Sequence, residues 1–259
     1  MLPSILKPQQ SIKSNLVRIG PKKDGGYIID KRIIKKTTKI VTCGLHDEWS
    51  FEKEFQFRNK KCTVLAYDHT VNNNFWLSRL KRDIISFLKL KKLTPKKILD
   101  IFKYIDYYIF FSKKNFHYEK KIVFKKKKIN EITITEILKN LKNLILKIDI
   151  EGDEYKILNE IHKNQKKINL LIIEFHYISK NILKIKKFLS KSNLKIIHIH
   201  ANNYGGIDKK NLPTTLELTL LNNKKFKVEK KKSSFNYPIA NLDYKNHKSR
   251  DDIKLSFYD

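Results

Sequence analysis

Short apolar runs alternate with longer amphipathic segments along most of this chain of 259 residues. The alternation is typical of β-α-β units, in which helices cover both faces of a largely parallel sheet. The apolar runs predict strands at residues 39–43, 63–67, 144–150, 169–175, 194–200 and 215–221, with a weaker one at 121–124. The amphipathic segments predict helices at residues 48–58, 75–92, 96–111, 134–142, 153–163 and 180–191. We therefore expect an α/β fold.

The second and third strong strands are separated by residues 68–143, which is far more chain than one crossover helix needs. An insertion is therefore expected. Its aromatic stretch at residues 98–111 indicates a helix that packs on the core, closes over a substrate as a lid or contacts a membrane surface. The predicted organisation is an N-terminal segment with a DGGY turn at residues 1–36, a Rossmann-like domain at 37–224 with the helical insertion at about 72–118, and a lysine-rich tail at 225–259.

The charge of the chain is strongly positive, since 56 lysines and arginines against 26 acids give a formal net charge of +30. A basic surface attracts nucleic acids and anionic membranes. Only six of the basic residues are arginines, however, and sites that grip phosphate or stack on bases favour arginine over lysine. The composition therefore argues against nucleic acid as the main partner and leaves an anionic substrate or a peripheral membrane contact open.

Two cysteines and the lack of long apolar runs indicate the compartment. Cys43 and Cys62 lie in apolar runs without metal-ligand spacing around them, so we expect buried, reduced thiols. No run of 18 uncharged apolar residues predicts a membrane span, and residues 1–13 lack the apolar core of a secretory signal. These features favour a cytoplasmic protein, while the oligomeric state does not follow from the sequence.

A glycine and an aspartate follow the first two predicted strands, at the edge where a parallel sheet binds its ligands. Gly44 ends the first strand in KIVTCGLHDEWSFE, and because that turn has a single glycine, the phosphate-binding pattern of dinucleotide sites is absent. Asp68 ends the second strand in TVLAYD. A carboxylate there can accept hydrogen bonds from a ribose diol, or it can cap the helix that follows.

Acidic residues cluster after the third strong strand in LILKIDIEGDEYKIL, residues 144–158. Asp153 and Glu154 suit the N-terminus of a helix, where they complement free N–H groups. Asp149 and Glu151 alternate onto one face at the strand end. Two like charges held together need a cation or hydrogen-bond donors, so these two residues are candidates for a ligand site.

The next strand, LLIIEFHYI, carries Glu174 and His176 within an otherwise apolar run. The two share a face, and a histidine beside a glutamate at this edge of the sheet can act as a general base. A satisfied core histidine is the alternative interpretation. His198 and His200 end the following strand without a defined third ligand, so no metal site is predicted there.

Several segments together resemble the FkbM family of S-adenosylmethionine-dependent methyltransferases. They are LVRIGPKKDGGYII (16–29), KIVTCGLHDEWSFE (39–52), VLAYDHT (64–70), LKIDIEGDEYKIL (146–158), IIEFH (172–176), and HANNYGG with LPTTLELT (200–219). The resemblance spans roughly residues 15–222. It implies a Rossmann-like class I methyltransferase with a mostly parallel seven-stranded sheet and helices on both faces, acting on hydroxyl groups of sugars or other metabolites.

The resemblance also implies roles for the residues after the strands. Gly44 would lie under the methionine part of the cofactor, Asp68 would hold the ribose hydroxyls, and Asp149 would sit where cofactor and acceptor meet. We place Glu151 beside Asp149 as a further cofactor-binding residue. The predicted cofactor is S-adenosylmethionine, and a divalent cation that bridges Asp149 and Glu151 is compatible with the family but not required by it.

The predicted catalytic residues are His176, Glu174 and Asp149, with His176 as the base, Glu174 orienting it and Asp149 as the rival base. We therefore predict O-methylation of a sugar, glycan or metabolite hydroxyl. Two alternatives stay open. One is a metal-dependent glycosyltransferase in which Asp149 and Glu151 hold a cation on a nucleotide-sugar diphosphate. The other is a non-catalytic basic module that binds anionic glycans or RNA through its lysines.

Overall fold

A seven-stranded sheet forms the centre of the computed structural model, which describes residues 1–88 and 95–258. In chain order its strands are β1 (Lys39–Cys43), β2 (Thr63–Tyr67), β3 (Phe116–Tyr118), β4 (Leu144–Ile148), β5 (Ile168–His176), β6 (Leu194–Ala201) and β7 (Thr215–Asn222). The helices are α1 (Ser50–Arg58), α2 (Asn73–Leu88), α3 (Pro95–Phe110), α4 (Ile134–Ile137), α5 (Glu154–Asn164) and α6 (Ile178–Lys191). Short strand pairs outside the sheet are Leu2–Pro3 with Phe257–Tyr258, Leu16–Ile19 with Tyr27–Asp30, and Lys121–Ile122 with Glu131–Ile132.

The strand order across the sheet is β3-β2-β1-β4-β5-β7-β6. All neighbours run parallel except β7, which is antiparallel to β5 and β6. The chain therefore starts in the middle of the sheet, moves outward to β3 and returns to β4 beside β1. Because parallel crossovers are right-handed, this reversal places helices on both faces. The order is that of a class I methyltransferase, which confirms the predicted fold class.

The core lies around β4 and β5, which are buried along their length except for the half-buried His176 at the end of β5. Such continuous apolar strands are typical of a parallel sheet covered on both faces. Ile157 and Ile161 of α5 lie one helical turn apart and are both fully buried. Each aliphatic side chain buried in this way contributes about 1.5–3 kcal/mol relative to an exposed one.

The end of β4 positions the candidate site. β1 and β2 have the predicted bounds, whereas β4 ends two residues earlier than predicted. The chain turns sharply there, since Glu151 has a φ of 55° and Gly152 a φ of 105°. Both values lie in the left-handed region, which a strand cannot contain. Asp149 and Glu151 therefore belong to a tight turn between β4 and α5.

The far edge of the sheet differs from the sequence-based expectation. The weak strand predicted at residues 121–124 forms only at Lys121–Ile122, which pairs with Glu131–Ile132 and not with the central sheet. The edge strand is β3 instead, which pairs with β2. The apolar pattern missed β3 because it has three residues, of which Phe116 and Tyr118 are exposed.

The helix boundaries lie within two residues of the prediction, except at the ends of the second and fourth helices. The capping box is present at α4, where Glu136 N donates to Thr133 Oγ1 and Thr133 N donates to Glu136 Oε2. This helix ends at Ile137, five residues before the predicted end. Residues 89–92 of the second predicted helix lie outside the described residues.

Aromatic packing attaches the insertion to the loop after β1. The rings of Trp49, Trp76 and Tyr107 pack together. The ring centroids of the two tryptophans lie 6.0 Å apart, and those of Trp49 and Tyr107 lie 5.7 Å apart. Trp49 Nε1 also donates to Asp106 of α3 at 3.0 Å. Such edge-to-face contacts add about 0.5–1.5 kcal/mol each beyond the area they bury. The insertion therefore packs on the first β-α unit through these aromatic side chains.

The C-terminal tail lies against β6 and β7. His198 and His200 of β6 contact Asp243 and Asp252 of the tail, each at 3.1–3.2 Å. Burial lowers the pKa of His200, but hydrogen bonds to Asp252 and Glu217 outweigh burial and raise it to about 10. The tail thus lies along the β6 edge of the sheet. Within residues 1–88 and 95–258, none of the helices combines the length and the hydropathy that a bilayer span requires.

Candidate functional site

A cavity of about 350 Å³ opens at the carboxyl ends of β1, β2 and β4. All four residues predicted to bind the cofactor line it, namely Gly44, Asp68, Asp149 and Glu151. The DGGY turn closes one side of the cavity with Asp24 and the neighbouring residues. The sheet therefore brings these residues together at its switch point between β1 and β4, where open α/β sheets bind ligands.

Gly44 makes the closest backbone approach in the site. Its φ is 83°, and a Cβ atom at this position would lie 1.6 Å from the carbonyl oxygen of Asp149. The contact is held by Asp149 N, which donates to Cys43 O at 2.9 Å, and by Gly44 N, which donates to Tyr67 O at 3.0 Å. Only glycine fits where the turn after β1 crosses the turn after β4.

Asp68 fixes the loop that follows β1. Its Oδ2 accepts hydrogen bonds from Leu45 N and His46 N at 2.9 Å each, and its Oδ1 accepts from the N–H and the hydroxyl of Thr70 at 2.8 and 2.6 Å. Burial alone would raise the pKa of Asp68, but these hydrogen bonds outweigh it and lower the pKa. A ribose hydroxyl could bind here only by replacing one donor, and the Thr70 hydroxyl is the one that can rotate away.

The cavity is acidic although the protein as a whole is basic. Its lining includes three lysines and seven carboxyl groups: Asp24, Asp47, Glu48, Asp68, Asp149, Glu151 and Asp153. One of the lysines, Lys147, pairs with the buried Glu52 at 3.1 Å. Carboxyl groups outnumber lysines in this lining, and an excess of one sign of charge on a concave surface concentrates ligands of the other sign, so the cavity favours a cationic ligand.

His176 lies among carboxylates beside this cavity. Its Nδ1 donates to Glu154 Oε1 at 3.1 Å, and its Nε2 lies 3.5 Å from Glu151, 3.6 Å from Glu174 and 3.9 Å from Asp149. The residue that orients the ring is therefore Glu154, whereas the sequence suggested Glu174. Glu154 can do so because the same oxygen also accepts from the N–H groups of the β4-α5 turn.

Three groups in this cluster have raised pKa values. Burial raises the pKa of Asp149 to about 7, with Glu151 adding to the rise and His176 opposing it. Burial lowers the pKa of His176, but the hydrogen bond and charge of Glu154 outweigh it and raise the pKa overall. Burial and the charge of Asp149 raise the pKa of Glu174 well above its ordinary value. The cluster therefore holds more negative charge than its surroundings stabilise, and it favours the uptake of a cation or protons.

A polar network behind Glu174 links the site to the tail. Glu174 lies opposite Glu217 in the β5-β7 pair and accepts from Asn202 at 3.1 Å. Glu217 accepts from Asn246 at 2.6 Å, and Asn246 also donates to Asp24 at 2.9 Å. Each carboxyl group of this cross-strand pair therefore accepts a hydrogen bond from a different asparagine, which offsets part of the cost of burying two acids side by side.

Several of these residues were not identified as site residues from the sequence. They are Asp24, Lys147, Glu154, Asn202, Glu217 and Asn246. Lys147 was visible as the one charged residue of the β4 run, and Asp24 precedes a glycine pair in a glycine-poor chain. Glu217 and Asn246 carry no such local signal, because their roles depend on contacts with distant segments.

Solved structures that match this chain include methyltransferases and a fibrillarin. The fibrillarin pre-rRNA processing protein of Methanococcus jannaschii is 14% identical over 73% of this chain and 67% of its own, with a TM-score of 0.34. A precorrin-6y C5,15-methyltransferase of Geobacter metallireducens is 8% identical over 74% and 87%, with a TM-score of 0.35. A putative methyltransferase of Thermoplasma acidophilum is 10% identical over 77% and 70%, also with a TM-score of 0.35.

No protein-family model matches the chain, and no curated protein matches it in sequence. Structural similarity as low as that of the solved proteins supports no inference about function. The fold assignment therefore rests on the strand order and the connections described above. The resemblance to the FkbM family stays a prediction.

Proposed function

We propose that this protein is an S-adenosylmethionine-dependent methyltransferase that methylates a hydroxyl group of a sugar, a glycan or another metabolite. The observation that carries the proposal is the acidic cavity at the switch point between β1 and β4. Gly44 has no side chain there, so its backbone lies directly against the carbonyl group of Asp149. The cavity lies at the strand ends of a sheet that has the strand order of a class I methyltransferase. The methyl donor carries a sulfonium and an ammonium group, and the lining carboxylates complement both charges.

The residues present fit the donor in three respects. The glycine turn after β1 would lie along its methionine part, and the carboxylates of the lining would face its cationic groups. Asp68 would accept from the ribose diol once the Thr70 hydroxyl turned away. When bound, the donor supplies a methyl group that its sulfonium has already activated. The protein then has to align an acceptor oxygen, exclude water and accept a proton.

The proton of the acceptor hydroxyl can be accepted beside the cavity, by His176 or by a carboxyl group next to it. The pKa of Asp149 is about 7, so this carboxyl group exchanges a proton near neutral pH. His176 is held by Glu154 through Nδ1, which leaves Nε2 facing the carboxylates next to the cavity. We assign the role of base to His176, with Asp149 as the group that stabilises the imidazolium or replaces it.

We expect S-adenosylhomocysteine to bind in the absence of metal, and Asp68→Asn to weaken this binding roughly 10- to 100-fold. The amide presents one acceptor oxygen where the carboxylate has two, so it cannot hold Leu45, His46 and a ribose diol together. Isothermal titration in EDTA measures both affinities, with Asp251→Asn, an exposed aspartate outside the site, as the control.

Two other titration results would contradict the proposal. Binding of a nucleotide sugar only in the presence of Mn²⁺ or Mg²⁺, without binding of an adenosyl ligand, would support the glycosyltransferase. Salt-sensitive binding of polyanions alone would support the basic module.

Replacing His176 by glutamine is expected to lower turnover about 10²- to 10⁴-fold, which is the usual contribution of a general base. The affinity for S-adenosylhomocysteine should change less than threefold, because this side chain lies beside the cavity and not in its lining. The acceptor is first found by screening sugar nucleotides and glycan extracts with a labelled methyl donor. If the turnover of His176→Gln equals that of the wild type, His176 is not the base.

A further inference from the structure

Three side chains from two strand ends converge beside the cavity in the pattern of a metal site. Asp149, Glu151 and His176 each offer one ligand atom, and these atoms all lie within 4.8 Å of one another. His176 Nε2 lies 3.5 Å from Glu151 Oε2 and 3.9 Å from Asp149 Oδ1. Its other ring nitrogen is held by Glu154. An imidazole fixed through one nitrogen by a carboxylate, with the other nitrogen directed at acidic groups, is typical of a metal-binding histidine.

A second observation points into the same space. Asp149 Oδ1 is inaccessible to solvent, and no hydrogen-bond donor of the described residues reaches it, although a third of the Asp149 side chain is exposed. A buried carboxylate oxygen without a donor is costly and rare in folded proteins. The Nε2 atom of His176 lies 3.9 Å from this oxygen, which is beyond hydrogen-bond distance. A bound cation would satisfy the oxygen directly.

The distances suit a small divalent ion. Bonds of roughly 2.1 Å to oxygen and nitrogen place neighbouring ligands about 3 Å apart. The oxygens of Asp149 and Glu151, at 3.9 and 3.5 Å from His176 Nε2, therefore need to approach this nitrogen by about 1 Å or less. Glu151 can make that adjustment because 85% of its side-chain surface is exposed. Glu174 Oε1, at 3.6 Å from His176 Nε2, offers a further oxygen.

We propose that Asp149, Glu151 and His176 bind a divalent cation of the Mn²⁺ or Mg²⁺ class. Two carboxylates and one imidazole suit these ions, which prefer oxygen ligands. The exposed side of Glu151 leaves coordination positions open towards the cavity. If the proposed methyl transfer also holds, the cation would lower the pKa of an acceptor hydroxyl bound to it, and water would take up the proton that the hydroxyl loses. In that state His176 would be a ligand of the cation through Nε2 and could not act as the base.

Binding of Mn²⁺ alone tests the site without any substrate. Electron paramagnetic resonance of free Mn²⁺ titrated into the purified protein should show one bound ion per chain, displaced by excess Mg²⁺. Glu151→Gln should weaken the affinity by about 10- to 100-fold, which is the loss found when even an outer partner of a metal site is removed. Glu229→Gln, which removes an exposed carboxylate outside the site, should leave the affinity unchanged.

Either of two results would overturn the proposal of a metal site. One is that the wild-type protein binds no Mn²⁺ at millimolar concentration; the other is that Glu151→Gln binds it as tightly as the wild type. Glu151 lies in an exposed turn, so Glu151→Gln is expected to fold, which circular dichroism checks. The outcome is independent of the methyl donor, because binding of S-adenosylhomocysteine is measured separately in EDTA. If the protein binds the donor but no Mn²⁺, only the proposed metal site is refuted, and the proposed methyl transfer is not.

Discussion

Replacing Gly44 by alanine is expected to abolish measurable donor binding and to lower the free energy of unfolding by at least about 3 kcal/mol. A Cβ atom would lie 1.6 Å from the carbonyl oxygen of Asp149, a backbone atom that no side-chain rotation can move away. The turns after β1 and β4 would have to separate, which breaks the hydrogen bond from Asp149 N to Cys43 O. The cavity is formed by these two turns, so stability and binding should fall together.

Gly206→Ala is the matched control for this experiment. Gly206 also has a positive φ, of 68°, but a Cβ atom there would meet nothing within 4 Å. This variant therefore reports the backbone strain alone, about 1–2 kcal/mol. Urea unfolding gives the stabilities and isothermal titration gives the affinity for S-adenosylhomocysteine. Equal losses of stability in the two variants would show that the close approach of the two turns is not important.

Replacing Lys147 by methionine is expected to destabilise the protein by about 3–5 kcal/mol, which is the usual cost of breaking a buried ion pair. Lys147 is the charged residue of β4, and its Nζ lies 3.1 Å from Oε1 of the fully buried Glu52 on α1. The same oxygen accepts from the Thr42 hydroxyl at 2.7 Å, whereas Glu52 Oε2 has no hydrogen-bond partner among the described residues. Without Lys147, the carboxylate keeps a single donor.

The double variant Lys147→Met/Glu52→Gln separates the loss of the pair from the loss of packing. An amide needs no counter-charge and its carbonyl oxygen can still accept from Thr42, so the double variant should recover most of the stability lost in Lys147→Met. The coupling energy from urea unfolding of the four proteins measures the interaction. A loss below about 1 kcal/mol in Lys147→Met would contradict a stabilising buried pair.

The sequence alone predicted six of the seven strands of the central sheet and pointed to candidate site residues at their ends. Buried parallel strands are continuous apolar runs, which is why β1 and β2 have the predicted bounds. Polar residues in such runs are conspicuous, which is why Asp149, Glu174 and His176 could be identified before the structure was known. The edge strand β3 could not be, because its exposed residues form a strand only by pairing with β2.

Only the tertiary structure decided how the site residues are connected. Glu154 orients His176 because the β4-α5 turn folds its side chain back, and the sequence pattern on neighbouring strands pointed to Glu174 instead. Asp24 reaches the same network from a turn far away in the chain, through Asn246 of the tail. Local periodicity reports which face of an element a residue occupies. Hydrogen bonds between distant segments depend on how those segments pack, and no local pattern contains that information.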